Sequence, residues 1–570
     1  MTFARIDSGH CLARRARPHD CVRQISSPFG STLALSAIAD VLASVDTVIM
    51  HFTFIAAAGR ALVRAAKLIA AILLISTAAI AAASPSTLIE GATVVDGTGK
   101  PAFAASVRIV RGRIVDVGRL RRQPGEVIVS GRGLVLAPGF IDTHSHHDRG
   151  LTEHRDAEAA VSQGITTIVV GQDGSSAPSL KQFFNALDRS PAAVNVASYV
   201  GHGTLRSKAM GKDFRRAPTN SELATMKALL ATEMAAGALG LSTGLEYDPG
   251  IYAPKQEVVE LAGATATLGG RYISHIRSED RMLWEAIDEI IDIGRKTGMP
   301  VQISHAKLAM VDWWGEAPKF IERLEKARRE GVRITADIYP YEYWQSTLTV
   351  LFPDRDFTNR AAAEFALKSL APPEGLRLSR YLPDRSLEGK TIAEIATLRG
   401  SDPAQTLMDL IAAAPEAGNS ESVIATSMAL PDIAALTAWR HSNISSDGLL
   451  SGGHPRGAGA FTRVLRMFVR EQKLLTLEQA IHKMTALSAA HMGIRGRGVI
   501  ARGASADLVL FDPKTVSDRA TIEQPGRLSV GISRVWVNGE LVFADGRSTG
   551  KHPGVVIRRS GGAGKPKRRQ

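Results

Sequence analysis

Cysteine is nearly absent. Among 570 residues there are two, Cys11 and Cys21, both close to the N-terminus. Over the rest of the chain this excludes disulfide stapling, a cysteine nucleophile and thiolate ligation of a metal. Other signatures are missing as well. No Walker or Rossmann glycine pattern stands out. The apolar run at 68–83 is uncharged but only sixteen residues long, short of the roughly twenty that a spanning helix needs. One-sided charge is missing from the body too. The formal net charge is +13, but residues 1–83 hold +4 of it and residues 558–570 another +6, leaving about +3 between them. A body that neutral is not a phosphate-binding surface, so no nucleic-acid partner is expected.

What is present is ordinary for a folded protein, with 45% hydrophobic and 22% charged residues. The length suits a large α/β barrel plus an accessory domain. At the N-terminus, Arg60, Arg64 and Lys67 precede the apolar run 68–83, which ends in small residues before Ser84 and Pro85. That order is the form of a secretory signal peptide, with cleavage expected near Ala83 and a cysteine-free, exported product, periplasmic or secreted. An uncleaved anchor and a buried core helix are the alternatives. Residues 1–49 look unlike a signal start, and Met50 is the expected true start. After cleavage no stable membrane partner is expected. The Gly- and Arg/Lys-rich end, 558–570, is expected to be a disordered tail.

Short β-rich runs divided by glycine fill the stretch from Thr87 to Val135, and the same texture returns near Asp507 and after Ile532. Between these ends strands alternate with helices. Expected strands lie at 164–171, 271–276, 301–306 and 333–341, with helices such as EAIDEIIDIGRKTG and FIERLEKARREG. Alternation over some 350 residues predicts a parallel sheet in an α/β fold, best met by a (β/α)8 barrel. The expected division is a β-sandwich from 84–138 plus 497–557 and a barrel from 139–496. Residues about 344–425 form an insertion over the barrel mouth.

The chemistry collects at strand ends. His144-Ser145-His146 follows the apolar GFIDT, where strand alternation would aim both imidazoles the same way. Taken alone, such a pair is equally well polar loop chemistry. His275 and His305 each end a further expected strand, and Asp173 and Asp447 each precede a glycine at another. An aspartate before glycine is more often a surface turn. Catalytic groups of a barrel, however, gather at the C-terminal strand ends. A His/Asp set around an open position is the make-up of hydrolytic zinc, which acidifies water and polarises a carbonyl. A carboxylate must then carry the proton to the leaving nitrogen, and Asp447 is the residue chosen for it.

The stretches APGFIDTHSH, GITTIVVGQDG, STGLEYDPG, YISHIRSE, ISHAK, DIYPY, SSDG, HPRGAGAFTRVL, ADLVLFDP, DRATIEQP and VWVNGELVF resemble the D-aminoacylase (N-acyl-D-amino-acid deacylase) branch of the amidohydrolase superfamily over roughly residues 87–557. The resemblance implies a distorted barrel with a β-sandwich, one or two zinc ions, and hydrolysis of the amide bond of a small-molecule N-acyl-D-amino acid. It implies His275 and His305 at the tight zinc, and His144, His146 and Asp447 at a second site. Tyr247, Lys307 and Arg456 match positions near the substrate, where a cation and a hydroxyl can hold a carboxylate. One departure matters. Well-known members have Cys where this chain has Asp173, GNCG against GQDG. A carboxylate is a harder ligand than a thiolate, so Asp173 is expected to bridge or cap the metal and to weaken zinc retention or shift metal preference. Alternatives are a cyclic-amide hydrolase of the hydantoinase type, a dipeptidase acting on D-residues, and a metal-free binding protein on the same barrel. The oligomeric state is not legible.

Overall fold

The run Ile165–Val170 is buried at every position, as a strand covered on both faces must be. In the computed structural model, which describes residues 86–414 and 420–559, it lies in a parallel sheet between Phe140–Asp142 and Asn195–Ser198. A six-stranded parallel sheet runs in the order Ser442–Ile444, Ile334–Ile338, Val301–Ile303, Arg271–His275, Gly240–Gly244, Val200–Gly201. The chain passes from one sheet to the other at Tyr199, whose N–H donates to Val170 O at 2.9 Å. At the far edges, Asp447 N donates to His144 O (2.8 Å) and His146 N to Gly448 O (2.9 Å). The fold is α/β.

Helices cover the parallel strands for reasons visible in their spacing. In Leu283–Thr297, Leu283, Ala286, Ile287, Ile290, Ile291 and Ile293 are buried on one side. Arg295 and Lys296 occupy its last turn, and Gly298 closes it at φ 64°, a left-handed C-cap that glycine adopts without a Cβ clash. Asn220–Ala236 begins with a Thr219/Glu222 capping box.

The β-rich ends meet in one nine-stranded sheet. The joint is the antiparallel pairing of Val135–Pro138 with Leu508–Phe511. Alternation splits the joint between two cores. Leu136, Leu508 and Leu510 pack with Val94, Val107, Ile114 and Trp536, while Val135, Ala137, Val509 and Phe511 join the main core. Asp507 pins the joint. Its Oδ1 accepts Asn538 N at 2.7 Å, and its Oδ2 accepts Asn195 Nδ2 at 3.3 Å and the Arg497 guanidinium. Asp507→Ala takes the carboxylate from a largely buried guanidinium, leaving Arg497 only the neutral Asn538 Oδ1 at 2.8 Å. It should lower the unfolding free energy by about 3–5 kcal/mol, read by chemical denaturation, and a loss under 1 kcal/mol would contradict this role.

Tyr343–Ser346, Leu376–Tyr381 and Glu421–Thr426 form a separate antiparallel sheet with its own core, including Leu348, Phe352, Leu378, Ile392, Leu407 and Val423. Two expectations need comment. Arg558 and Arg559, counted above with the tail, are held: Arg558 Nη2 donates to Asp188 at 2.7 Å and Arg559 N to Gly237 O at 2.9 Å. The expected leader, 1–83, and residues 560–570 lie outside the described residues. Among the described residues no helix is long and apolar enough to cross a membrane.

Candidate active site

Six side chains from five strand ends converge. His144 Nε2 and His146 Nε2 lie 3.2 and 3.1 Å from Asp173 Oδ2, and 3.4 and 3.3 Å from Asp447 Oδ1. His275 Nδ1 and His305 Nε2 are 3.1 Å apart, with His305 Nε2 3.5 Å from Asp173 Oδ1. Their ligand atoms therefore form two sets, His144/His146/Asp173/Asp447 and Asp173/His275/His305, each within 4.8 Å. Asp173 belongs to both, one oxygen toward each. Its Oδ1 is buried and makes no hydrogen bond among the described residues.

The backbone is bent to achieve this. Asp173, His305 and Asp447 all have left-handed φ, at 51°, 32° and 48°. Aspartate tolerates that conformation better than most residues, and such strain concentrates at functional sites. The His pair converges for a reason other than the expected one. The strand ends at Asp142, so a turn rather than strand alternation aims His144 and His146 together, their rings 5.5 Å apart.

Electrostatics favour a cation here. Burial would raise the Asp173 carboxyl, but His144 and His305 outweigh it and hold it well below the usual range. Asp447 is likewise held low against burial, by Arg456, His144 and His305. Burial and Lys307 push His305 down, yet Glu279, Asp173 and Asp447 carry it up to about 9. These carboxylates draw positive charge between them, which protons on the imidazoles or a metal in their place can supply. The hard-oxygen and imidazole donor set, with a spare buried carboxylate oxygen between two histidine pairs, fits one or two zinc ions.

Three carboxylates that the sequence reading passed over orient the histidines. Glu246 Oε2 is 2.9 Å from His275 Nε2 and its Oε1 accepts Glu279 N at 2.6 Å. Glu279 Oε1 lies 3.1 Å from His305 Nδ1. Asp337 accepts His305 N and Ser445 Oγ, both at 2.8 Å, 3.6 Å from His144 Nδ1. Each sits inside a stretch already matched by resemblance, STGLEYDPG, YISHIRSE or DIYPY. Carboxylates that fix a ligand imidazole are worth about 10–100-fold in metal affinity. Glu246→Ala should show that loss by chelator competition, and unchanged affinity would strip Glu246 of the role.

The residues expected near substrate divide. Arg456 Nη1 is 2.7 Å from Asp447 Oδ2 but outside hydrogen-bond geometry, and both Nε and Nη1 make no hydrogen bond among the described residues. Its guanidinium lies 4.8 Å over the Tyr339 ring, and the buried Tyr339 hydroxyl also lacks a partner there. Tyr339 was not singled out from sequence. Lys307 lines a small cavity beside the cluster, where its Nζ donates to both Glu279 oxygens at 2.8 and 2.7 Å and sits 2.6 Å from His305 Nδ1. The Tyr247 ring lies tilted against His275, centroids 4.4 Å apart. Two cavities open from the cluster. A large one of about 1530 Å³ includes His146, Asp173, Tyr247, Asp447 and Arg456. A small one of about 50 Å³ includes Tyr247, His275, His305, Lys307, Asp447 and Arg456.

Comparison with known proteins bears on this geometry. Residues 128–371 and 360–543 match the model of the amidohydrolase family. The chain is 36% identical over 496 residues to the N-acyl-D-glutamate deacylase of Alcaligenes xylosoxydans xylosoxydans, covering 83% of this chain and 96% of that one. It is 35% identical to the D-aminoacylase of the same organism, over 83% of this chain and 97% of that one. Among solved structures it is similar to the N-acyl-D-glutamate deacylase of Bordetella bronchiseptica complexed with zinc and a phosphonate mimic of the tetrahedral intermediate. That likeness has a TM-score of 0.75 and 35% identity, covering 83% of this chain and all of that one.

Proposed function

Because the chain belongs to the amidohydrolase family, we propose that it hydrolyses N-acyl-D-amino acids with zinc as cofactor, yielding a carboxylate and a free D-amino acid. The observation that carries this is the pair of ligand sets sharing Asp173 beneath Arg456, in a chain similar along most of its length to deacylases of that substrate class. Zinc bound there supplies acidification of water and polarisation of the acyl carbonyl.

Asp173, His275 and His305 would hold the tight ion, and His144, His146, Asp447 and the other Asp173 oxygen a second one. Asp447 Oδ1 accepts the attacking water's proton and delivers it to the amide nitrogen as the C–N bond breaks. Arg456, with two N–H directions unspent, receives the substrate carboxylate in a charge-assisted hydrogen bond, joined by the Tyr339 hydroxyl. Lys307 fixes Glu279 and through it His305.

Counting Asn195–Ser198 and Val200–Gly201 as one strand interrupted at Tyr199, we read the two parallel sheets as the eight strands of a (β/α)8 barrel. The backbone bonds at Tyr199 and between His144 and Asp447, which link the two parallel sheets at both edges, support it. The nine-stranded sheet reads as the β-sandwich domain of both chain ends, and the Tyr343-to-Thr426 segment as an insertion over the site. Export rests on the basic flank and apolar run at 68–83. N-terminal sequencing of the secreted protein tests it, and an N-terminus upstream of Met50 would count against it.

The small cavity bears on the side chain. Its remaining walls are apolar at Ala309, Trp344, Val350, Leu351 and Leu370, neutral polar at Gln345 and Ser346, and acidic at Glu246, Glu279 and Asp280, while Lys307 and Arg456 already face carboxylates. An acidic side chain there would be buried unpaired, a cost of several kcal/mol. N-acetyl-D-leucine should therefore exceed N-acetyl-D-glutamate in kcat/KM by about a hundredfold. The test is a stereochemically paired screen of N-acetyl-D- and N-acetyl-L-amino acids, with hydantoins alongside and metal measured on the same sample. Turnover of D-substrates, lost on chelation and restored by zinc, is expected. Turnover of hydantoins alone would replace this reading with a cyclic-amide hydrolase.

A further inference from the structure

The large cavity exceeds what an N-acetyl amino acid needs. Small-molecule sites usually span about 300–1,000 Å³, and this one measures about 1530 Å³. If Arg456 and the small cavity take the amino-acid half, as proposed above, the acyl half must extend from His146 and Asp173 into the large cavity. There it meets polar loops around Ser176 and Thr204 on one side and Gln345, Thr347 and Ser422 of the insertion on the other.

The ionic lining of this space is one-sided. Outside the ligand cluster it holds Arg149, Lys208, Arg215, Arg355 and Arg380 against Asp248 and Glu421. Arg355 is satisfied internally, donating to Asp248 Oδ1 at 2.9 Å and to backbone carbonyls of Thr349, Phe352 and Glu246. Glu421 turns both oxygens to Leu348 N at 3.0 Å, and burial pushes its carboxyl up to about 7. With Lys208 spent on Pro178 O, what faces the opening is still net positive, with exposed Arg149 just beyond the His144–His146 turn and exposed Arg380 on the insertion, the latter only partly offset by Glu421. In a body carrying only about +3 overall, cations gathered at one mouth favour an anionic ligand by focusing the local field.

We infer that the natural acyl group is extended and anionic, an acidic peptidyl chain rather than a short neutral acyl, so that the enzyme releases a D-residue from the carboxyl end of a small acidic peptide. The inference rests on the N-acyl-D-amino acid reading. The chemistry is the same: the C–N bond breaks, the water oxygen goes to the acyl carbon and a proton to the leaving nitrogen.

The experiment compares kcat/KM for N-acetyl-D-leucine, N-acetyl-L-alanyl-D-leucine and N-succinyl-L-alanyl-D-leucine. The order should rise along that series. The succinyl compound should gain about fivefold over its acetyl counterpart, the size of one or two partly exposed ion pairs, and lose that gain in 0.5 M salt by roughly the screening expected. The double variant Arg149→Gln/Arg380→Gln should bring the succinyl-to-acetyl ratio close to one. Equal kcat/KM for the two peptides in the unaltered enzyme, or N-acetyl-D-leucine surpassing both, overturns the inference while leaving the deacylase reading intact. No turnover of any D-substrate would instead overturn the deacylase reading.

Discussion

Asp447→Asn should lower kcat by about 10³-fold while the metal stays bound. Asn keeps the shape and the partial ligation of Asp447 but cannot take a proton. The carboxylate is placed for that task by three constraints. Its backbone is held left-handed at φ 48°, its N–H is tied to His144 O at 2.8 Å, and its two oxygens face different groups, Oδ1 the histidine pair and Oδ2 Arg456. The tight set of Asp173, His275 and His305 does not use Asp447, so metal content at one equivalent should survive. Steady-state kinetics at saturating zinc, with metal analysis of the same sample, read both quantities. Activity above a tenth of the parent would transfer the proton to another group. Loss of all metal would make Asp447 chiefly a ligand.

Asp173→Ala should have its largest effect on metal retention. Zinc sites with four protein ligands bind with about 10–16 kcal/mol, so removing one ligand costs about 3 kcal/mol, or roughly a hundredfold. The loss should fall on both ions, because Oδ2 faces His144 and His146 while Oδ1 faces His305. Asp173→Cys supplies a softer donor at the same strand end. It should regain zinc affinity and raise zinc preference over manganese relative to the parent. Chelator competition and metal analysis give the answer, and unchanged stoichiometry and affinity in Asp173→Ala would remove Asp173 from the ligand set.

The histidines and the two aspartates were legible because side-chain chemistry and strand-end position are local properties. A strand such as Ile165–Val170 announces itself by its apolar run, and Asp173 follows it within a few residues. Glu246, Glu279 and Asp337 were on the page as letters of matched stretches. A carboxylate in a loop reads as solvated, however, and only the pairing of neighbouring strands puts each beside a histidine 26 or more residues away in sequence or against a backbone N–H of the next strand end. The ion pair of Lys307 with Glu279 was hidden for the same reason, because Glu279 comes from the preceding strand end.

Composition, periodicity and motif thus determined the α/β class, the sheet built from both chain ends and the roster of histidines and aspartates that converge at the candidate site. These follow from short-range rules of burial and hydrogen bonding that act within a few residues. Tertiary structure alone decided that Asp173 lies between two histidine pairs, that Arg456 keeps unspent donors, and that two unequal cavities open from the site. Those depend on which strand ends are neighbours, a matter of long-range packing that no single stretch of sequence encodes.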